Sequence, residues 1–100
     1  MKSAVFALLA AAAVVPAFAQ QDLAQAKGCF ACHAIDKKVV GPSYKEVAAK
    51  YAADKTAVDK LAQKIMKGGS GVWGPVPMPA NTQVNEAEAK KLAGWVLSQK

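Results

Sequence analysis

The sequence predicts an all-α domain of about four helices. Apolar residues recur at helical spacing in three separate stretches, and no stretch alternates apolar and polar residues as a half-buried strand would. A third observation bears on what the helices enclose. Cys29-Phe30-Ala31-Cys32-His33 is a C-x-x-C-H run, the spacing of covalent attachment of a c-type haem, and 67 residues follow it. Two thiols three positions apart add to the two vinyl groups of one porphyrin, and the next residue, His33, is then held where its imidazole ligates one face of the iron.

The chain opens with Lys2, an apolar stretch from Ala4 to Val15, and then Pro16-Ala17-Phe18-Ala19. A positive start, an apolar core too short to span a bilayer and small residues in an A-x-A arrangement predict a signal peptide over 1–19, cleaved before Gln20. The mature domain is then 20–100, and the 53% apolar content of the whole chain is inflated by the leader. A domain of 81 residues has a marginal core and needs a staple. A C-x-x-C disulfide closes too short a loop to stabilise much, whereas a covalently held porphyrin adds a large apolar plate.

Asp22 to Gly28 predicts a first helix, with Asp22 as N-cap and Gly28 near its end, which delivers the chain to the cysteines. After the loop through Gly41-Pro42, Ser43-Tyr44-Lys45-Glu46 reads as the capping box of a second helix, with Tyr44, Val47, Ala48 and Tyr51 on one face. A third helix is expected to start near Asp54 or Thr56 and to end at Gly68-Gly69, its buried stripe marked by Val58, Leu61, Ala62 and Ile65. From Gly68 to Val84, glycines and prolines exclude regular helix, and Val72, Trp73, Val76 and Met78 need a surface to pack on, so this is a structured loop. The last helix begins at Asn85, with Glu88 completing its cap, and carries Ala89, Leu92, Trp95 and Val96 on its apolar face.

An iron held by His33 has one further axial position, and the mature chain offers Met66, Met78 and no second histidine. Met66 sits beside Ile65 on the third helix and reads as packing. Met78 lies between Pro77 and Pro79, which fix φ on both sides and stiffen the segment that presents the thioether. The alternative is a methionine filling a gap under a loop. With His33 and Met78 as axial metal ligands the iron is six-coordinate, which raises the reduction potential and suits electron transfer rather than oxygen chemistry.

At this point the chain resembles the small bacterial class I monohaem cytochromes c, the cytochrome c-551/c-552 group. The resemblance covers the whole mature chain and rests on Gly28 to His33, Val40-Gly41-Pro42-Ser43-Tyr44, Gly71 to Pro79, and Trp95-Val96-Leu97-Ser98. It implies a cytochrome c fold around one covalently attached haem c, with Cys29 and Cys32 as thioethers and an exposed edge for electron passage. It also implies that the Pro42 carbonyl accepts from the ring of His33, that the Trp73 indole donates to a haem propionate, and that Asn81 holds a position whose side chain can reach the Met78 sulfur. Members commonly read Pro-Met-Pro-Pro-Asn where this chain has Ala80, and some carry an arginine near the propionates where this chain has Lys64.

The expected function is single-electron carriage in the periplasm, between a membrane quinol-oxidising complex and a terminal oxidase or a reductase such as nitrite reductase, and not enzymatic catalysis. All 13 basic residues are lysines; 12 remain in the mature domain against 7 acids, a balance of +5. For an exported protein this predicts docking to acidic surfaces of redox partners, with Lys27, Lys37, Lys38 and Lys67 as candidates for the docking face, and excludes nucleic acid. The mature protein is expected to be a monomer without stable membrane insertion. A haem peroxidase or gas sensor lacks a distal histidine or arginine here. A thiol oxidoreductase would place its C-x-x-C on a βαβ pattern that is absent.

Overall fold

A computed structural model describes residues 17–100. The positive start and the apolar stretch of the predicted signal peptide therefore lie outside the described residues. Helix α1 covers Ala17–Ala26, a single 3₁₀ turn covers Cys29–Ala31, and α2 (Tyr44–Lys50), α3 (Ala57–Lys67) and α4 (Glu86–Leu97) follow. Among the described residues there is no strand, only two isolated β-bridges, so the all-α prediction holds.

Helix α1 starts earlier than its sequence pattern suggests. Asp22, expected as N-cap, is an exposed interior residue, and the helix runs through the predicted cleavage point. Its end comes near Gly28, which has φ +80 and turns the chain into Cys29. Ala24, 1% exposed, seats the helix against α4.

The capping box of α2 is present: Glu46 N–H donates to Ser43 Oγ at 3.0 Å and Ser43 N–H to Glu46 Oε1 at 3.4 Å. Helix α3 begins differently. The Thr56 side chain caps nothing; instead the Asp54 carboxylate accepts from Thr56 N–H at 2.8 Å, Thr56 Oγ1 at 2.7 Å and the Lys60 ammonium at 2.8 Å. The buried stripe of α3 is Ala57, Leu61, Ala62 and Ile65, while Val58 is 39% exposed. Val58 lies one position beyond the buried Ala57, and periodicity fixes only the direction around the axis and not which positions at the helix start a neighbour covers.

The Lys60 ammonium, followed by the Thr56 hydroxyl and N–H, holds the Asp54 carboxyl at about 2 instead of its ordinary 3.8. The folded value lies below the unfolded one, so the contribution of this group is complete above pH 3.8 and is lost as pH falls through about 2. A carboxyl-carbon NMR titration is expected to place the midpoint near 2, moving toward 3.8 in Lys60→Ala.

Helix α4 opens with its predicted box, Glu88 N–H donating to Asn85 Oδ1 at 2.8 Å and Asn85 N–H to Glu88 Oε1 at 3.1 Å. It packs on α1, α2 and α3 and buries Ala89, Leu92, Ala93 and Trp95. The ring of Trp95 meets Tyr44 edge-on, with centroids 4.9 Å apart, and Phe30 closes the aromatic cluster at 5.4 Å from Tyr44. A clasp joins the start of the cysteine segment to the last helix. The Lys27 ammonium donates to Gln83 O at 2.9 Å and pairs with Glu88 at 3.5 Å, while Gln83 Nε2 donates back to Lys27 O at 3.0 Å. Lys27, a candidate for docking in the sequence, is committed to this clasp.

Candidate functional site

The helices and the long loop surround a cavity of about 270 Å³, far above the ~10–15 Å³ that a single water needs. Cys29, Cys32 and His33 line it from the amino-terminal side, Met78 and Trp73 from the loop, and Trp95 from α4. Two thiols, an imidazole and a thioether separated by up to 49 residues of chain thus face one apolar space.

Local backbone geometry sets each of these groups. The 3₁₀ turn after Gly28 carries Cys29, and both His33 N–H and Cys32 N–H donate to Cys29 O. Both cysteines are partly buried, and burial pushes the Cys29 thiol up. A raised thiol is the opposite of what a redox-active C-x-x-C pair needs.

His33 Nδ1 lies 2.7 Å from Pro42 O. A carbonyl only accepts, so Nδ1 carries the proton and Nε2 keeps its lone pair for a metal. The imidazole rests against Gly41, where a Cβ would stand 2.5 Å from Cε1 and 3.0 Å from Nδ1, and the Tyr44 ring lies 5.4 Å away at 30°. The φ of Gly41 is not positive, so Gly41→Ala acts through the ring alone. Displacing the imidazole should destabilise the haem-loaded protein by about 1–3 kcal/mol, measured by urea unfolding.

Met78 is fixed through its backbone. Met78 N–H donates to Gly69 O at 2.8 Å and Gly69 N–H to Met78 O at 3.0 Å, the second isolated bridge of the fold. Gly68 sits directly against Met78 O, Pro79 and Ala80 N. Asn81 anchors the other side of the loop, its backbone N–H and its Nδ2 both donating to Ile65 O, at 3.1 and 2.8 Å. The structure thus places the Asn81 amide on α3, and among the described residues it records no bond to the Met78 sulfur. Trp73 is 41% exposed, with the Lys50 ammonium 5.4 Å from its ring centroid. Lys64 lines the cavity, its ammonium lying over Gly69.

Tyr44 is the site residue that the sequence pattern missed. Read from its spacing as the apolar face of a helix, it is 4% exposed and lines the cavity, and its hydroxyl has no hydrogen-bond partner. Burial, with the neighbouring Cys29 and Cys32 adding to it, pushes the phenol well above its ordinary range. The cavity wall that carries the Tyr44 ring, two thiols, an imidazole and a thioether is mostly apolar, which fits a porphyrin.

A family model described as Cytochrome c matches residues 20–100. The cytochrome c-552 of Hydrogenobacter thermophilus is 61% identical over 83 residues, covering 83% of this chain and 84% of that protein. The cytochrome c-552 of Nitrosomonas europaea is 50% identical and is covered in full, as is this chain. A crystal structure of wild-type Nitrosomonas europaea cytochrome c552 superposes with a TM-score of 0.78 at 52% identity, covering 80% of this chain and 99% of that one.

Proposed function

The chain belongs to the cytochrome c family, and from that premise we propose that it is a periplasmic carrier whose haem iron is held between His33 and Met78. The family carries one covalently attached haem c, and this chain is an electron carrier rather than an enzyme. The observation that supports the axial pair is the convergence of His33 and Met78 on one cavity with Cys29 and Cys32.

The haem supplies an iron that takes up and releases one electron. Cys29 and Cys32 bind it as thioethers, on the turn that Gly28 opens. His33 holds its proton at Nδ1 against Pro42 O, which orients the ring and keeps Nε2 basic. Met78 is supplied by a loop tied to Gly69 and Ile65, so backbone bonds set where the residue stands at the cavity wall and its side chain reaches in from there. Asn81 has spent one amide N–H on Ile65 O and retains another for the Met78 sulfur. Trp73 and Lys64 provide donors at the cavity wall for the propionates.

No described helix is long and apolar enough to cross a membrane. Cleavage before Gln20 would take Ala17, Phe18 and Ala19 from the first turn of α1 and release the domain to the periplasm as a monomer. There it would exchange electrons between a membrane quinol-oxidising complex and a terminal oxidase or a reductase such as nitrite reductase. The lysine excess supports docking on acidic partner surfaces. Mass spectrometry of the protein isolated from the periplasm tests the core of this reading. The expected mass is that of residues 20–100 plus one haem; a chain without the added haem contradicts it.

A further inference from the structure

The tip of the α3–α4 loop, Gly71 to Pro75, forms the cavity wall at Trp73 yet is hardly held. Its backbone hydrogen bonding among the described residues is Gly71 N–H to Gly74 O at 2.9 Å, within the tip itself. Both anchors of the loop, the Gly69–Met78 bridge and Asn81 on Ile65, lie at its base. Val72, Trp73 and Val76 are exposed to the cavity side or to solvent, so packing on the protein's own side chains does little to fix the tip.

From the facing side, Lys50 in the last turn of α2 brings its ammonium 5.4 Å from the Trp73 ring centroid. Among the described residues Lys50 has no carboxylate within ion-pair distance, whereas Lys27, Lys60 and Lys90 each have one. The cation is therefore directed at an aromatic face, which attracts it through the negative potential of the ring. Trp73 lines the cavity and Lys50 does not, so the lysine braces the indole from outside it.

We propose that Lys50 is a positioning residue for Trp73: its cation–π contact latches the loop tip against α2 and holds the indole in the cavity wall. The cation–π contact is made by the chain itself, while its share in holding Trp73 beside a bound group, and its effect on the redox centre, rest on the haem-carrier reading above. A contact at an exposed site contributes ~0.5–1 kcal/mol, which corresponds to about a 2- to 5-fold change in the opening equilibrium. Removing the cation also removes positive charge beside the centre, which favours the oxidised state and lowers the potential.

The test uses the haem-loaded protein as isolated, with Lys50→Gln and Lys50→Arg. Hydrogen exchange at the Trp73 indole N–H and the Gly71 amide, followed by NMR, reads the latch, and the reduction potential reads its effect on the centre. Lys50→Gln is expected to speed exchange at both sites about 2- to 5-fold and to lower the potential, while Lys50→Arg, which also stacks on aromatic faces, stays near the parent in both. Parent-like exchange in Lys50→Gln, or equal acceleration in Lys50→Arg, overturns the latch. Failure of the carrier reading shows separately, as a purified parent protein without haem absorbance.

Discussion

Met78→Ala is expected to keep the haem covalently attached while the reduction potential falls and the iron becomes open to carbon monoxide and imidazole. Attachment depends on Cys29 and Cys32, which the loop does not contain, so it survives the change. The potential falls because a thioether ligand favours the reduced state, and axial ligation as a whole spans about 0.8 V in haem proteins. Met66 does not substitute, since it packs on α3 against the core. An unchanged potential, or a carbon monoxide affinity equal to that of the parent protein, would remove Met78 from the iron.

The second large effect concerns the loop that carries Met78. Gly68 has φ +73 and ψ −171, a region open almost exclusively to glycine. A Cβ there would run into the carbonyl of Met78 and the backbone of Pro79 and Ala80, none of which is the free end of a flexible side chain. Gly68→Ala therefore combines backbone strain with overpacking and should destabilise the protein by roughly 2–6 kcal/mol in urea unfolding, with weakened sulfur ligation. Gly71→Ala is the control. With φ +95 and nothing within 4 Å, it carries strain alone, about 1–2 kcal/mol.

Much of the fold follows from local signals that tertiary contacts did not override. Ser43 with Glu46 and Asn85 with Glu88 are caps complete within four residues, so their sequence signatures and their hydrogen bonds coincide. Asp22 is no cap in the full chain because the helix already runs from Ala17, through residues that cleavage before Gln20 would remove. Val58 failed because burial depends on what lies opposite, which spacing cannot encode.

The same division holds at the site. That Cys29, Cys32 and His33 stand together follows from their adjacency in sequence, and the sequence also singles out Met78 by its flanking prolines; the structure brings all four to one cavity. Gly41 against His33, Gly68 against Met78 O and Lys50 over Trp73 are contacts across eight or more residues, or across elements, with no motif to mark them. Tyr44 was visible as an apolar helix position, but its unpartnered hydroxyl is a property of the assembled core. Asn81 shows what a family match leaves out: its amide also donates to Ile65 O, a partner that only the packing of the loop on α3 reveals.

The most direct measurement is a redox titration of the purified protein followed by its electronic spectrum. Ligation by His33 and Met78 predicts a sharp alpha band on reduction and, in the oxidised protein, a weak sulfur-to-iron charge-transfer band near the red edge that Met78→Ala abolishes. A high-spin oxidised spectrum without that band would contradict the closed coordination sphere on which the account depends.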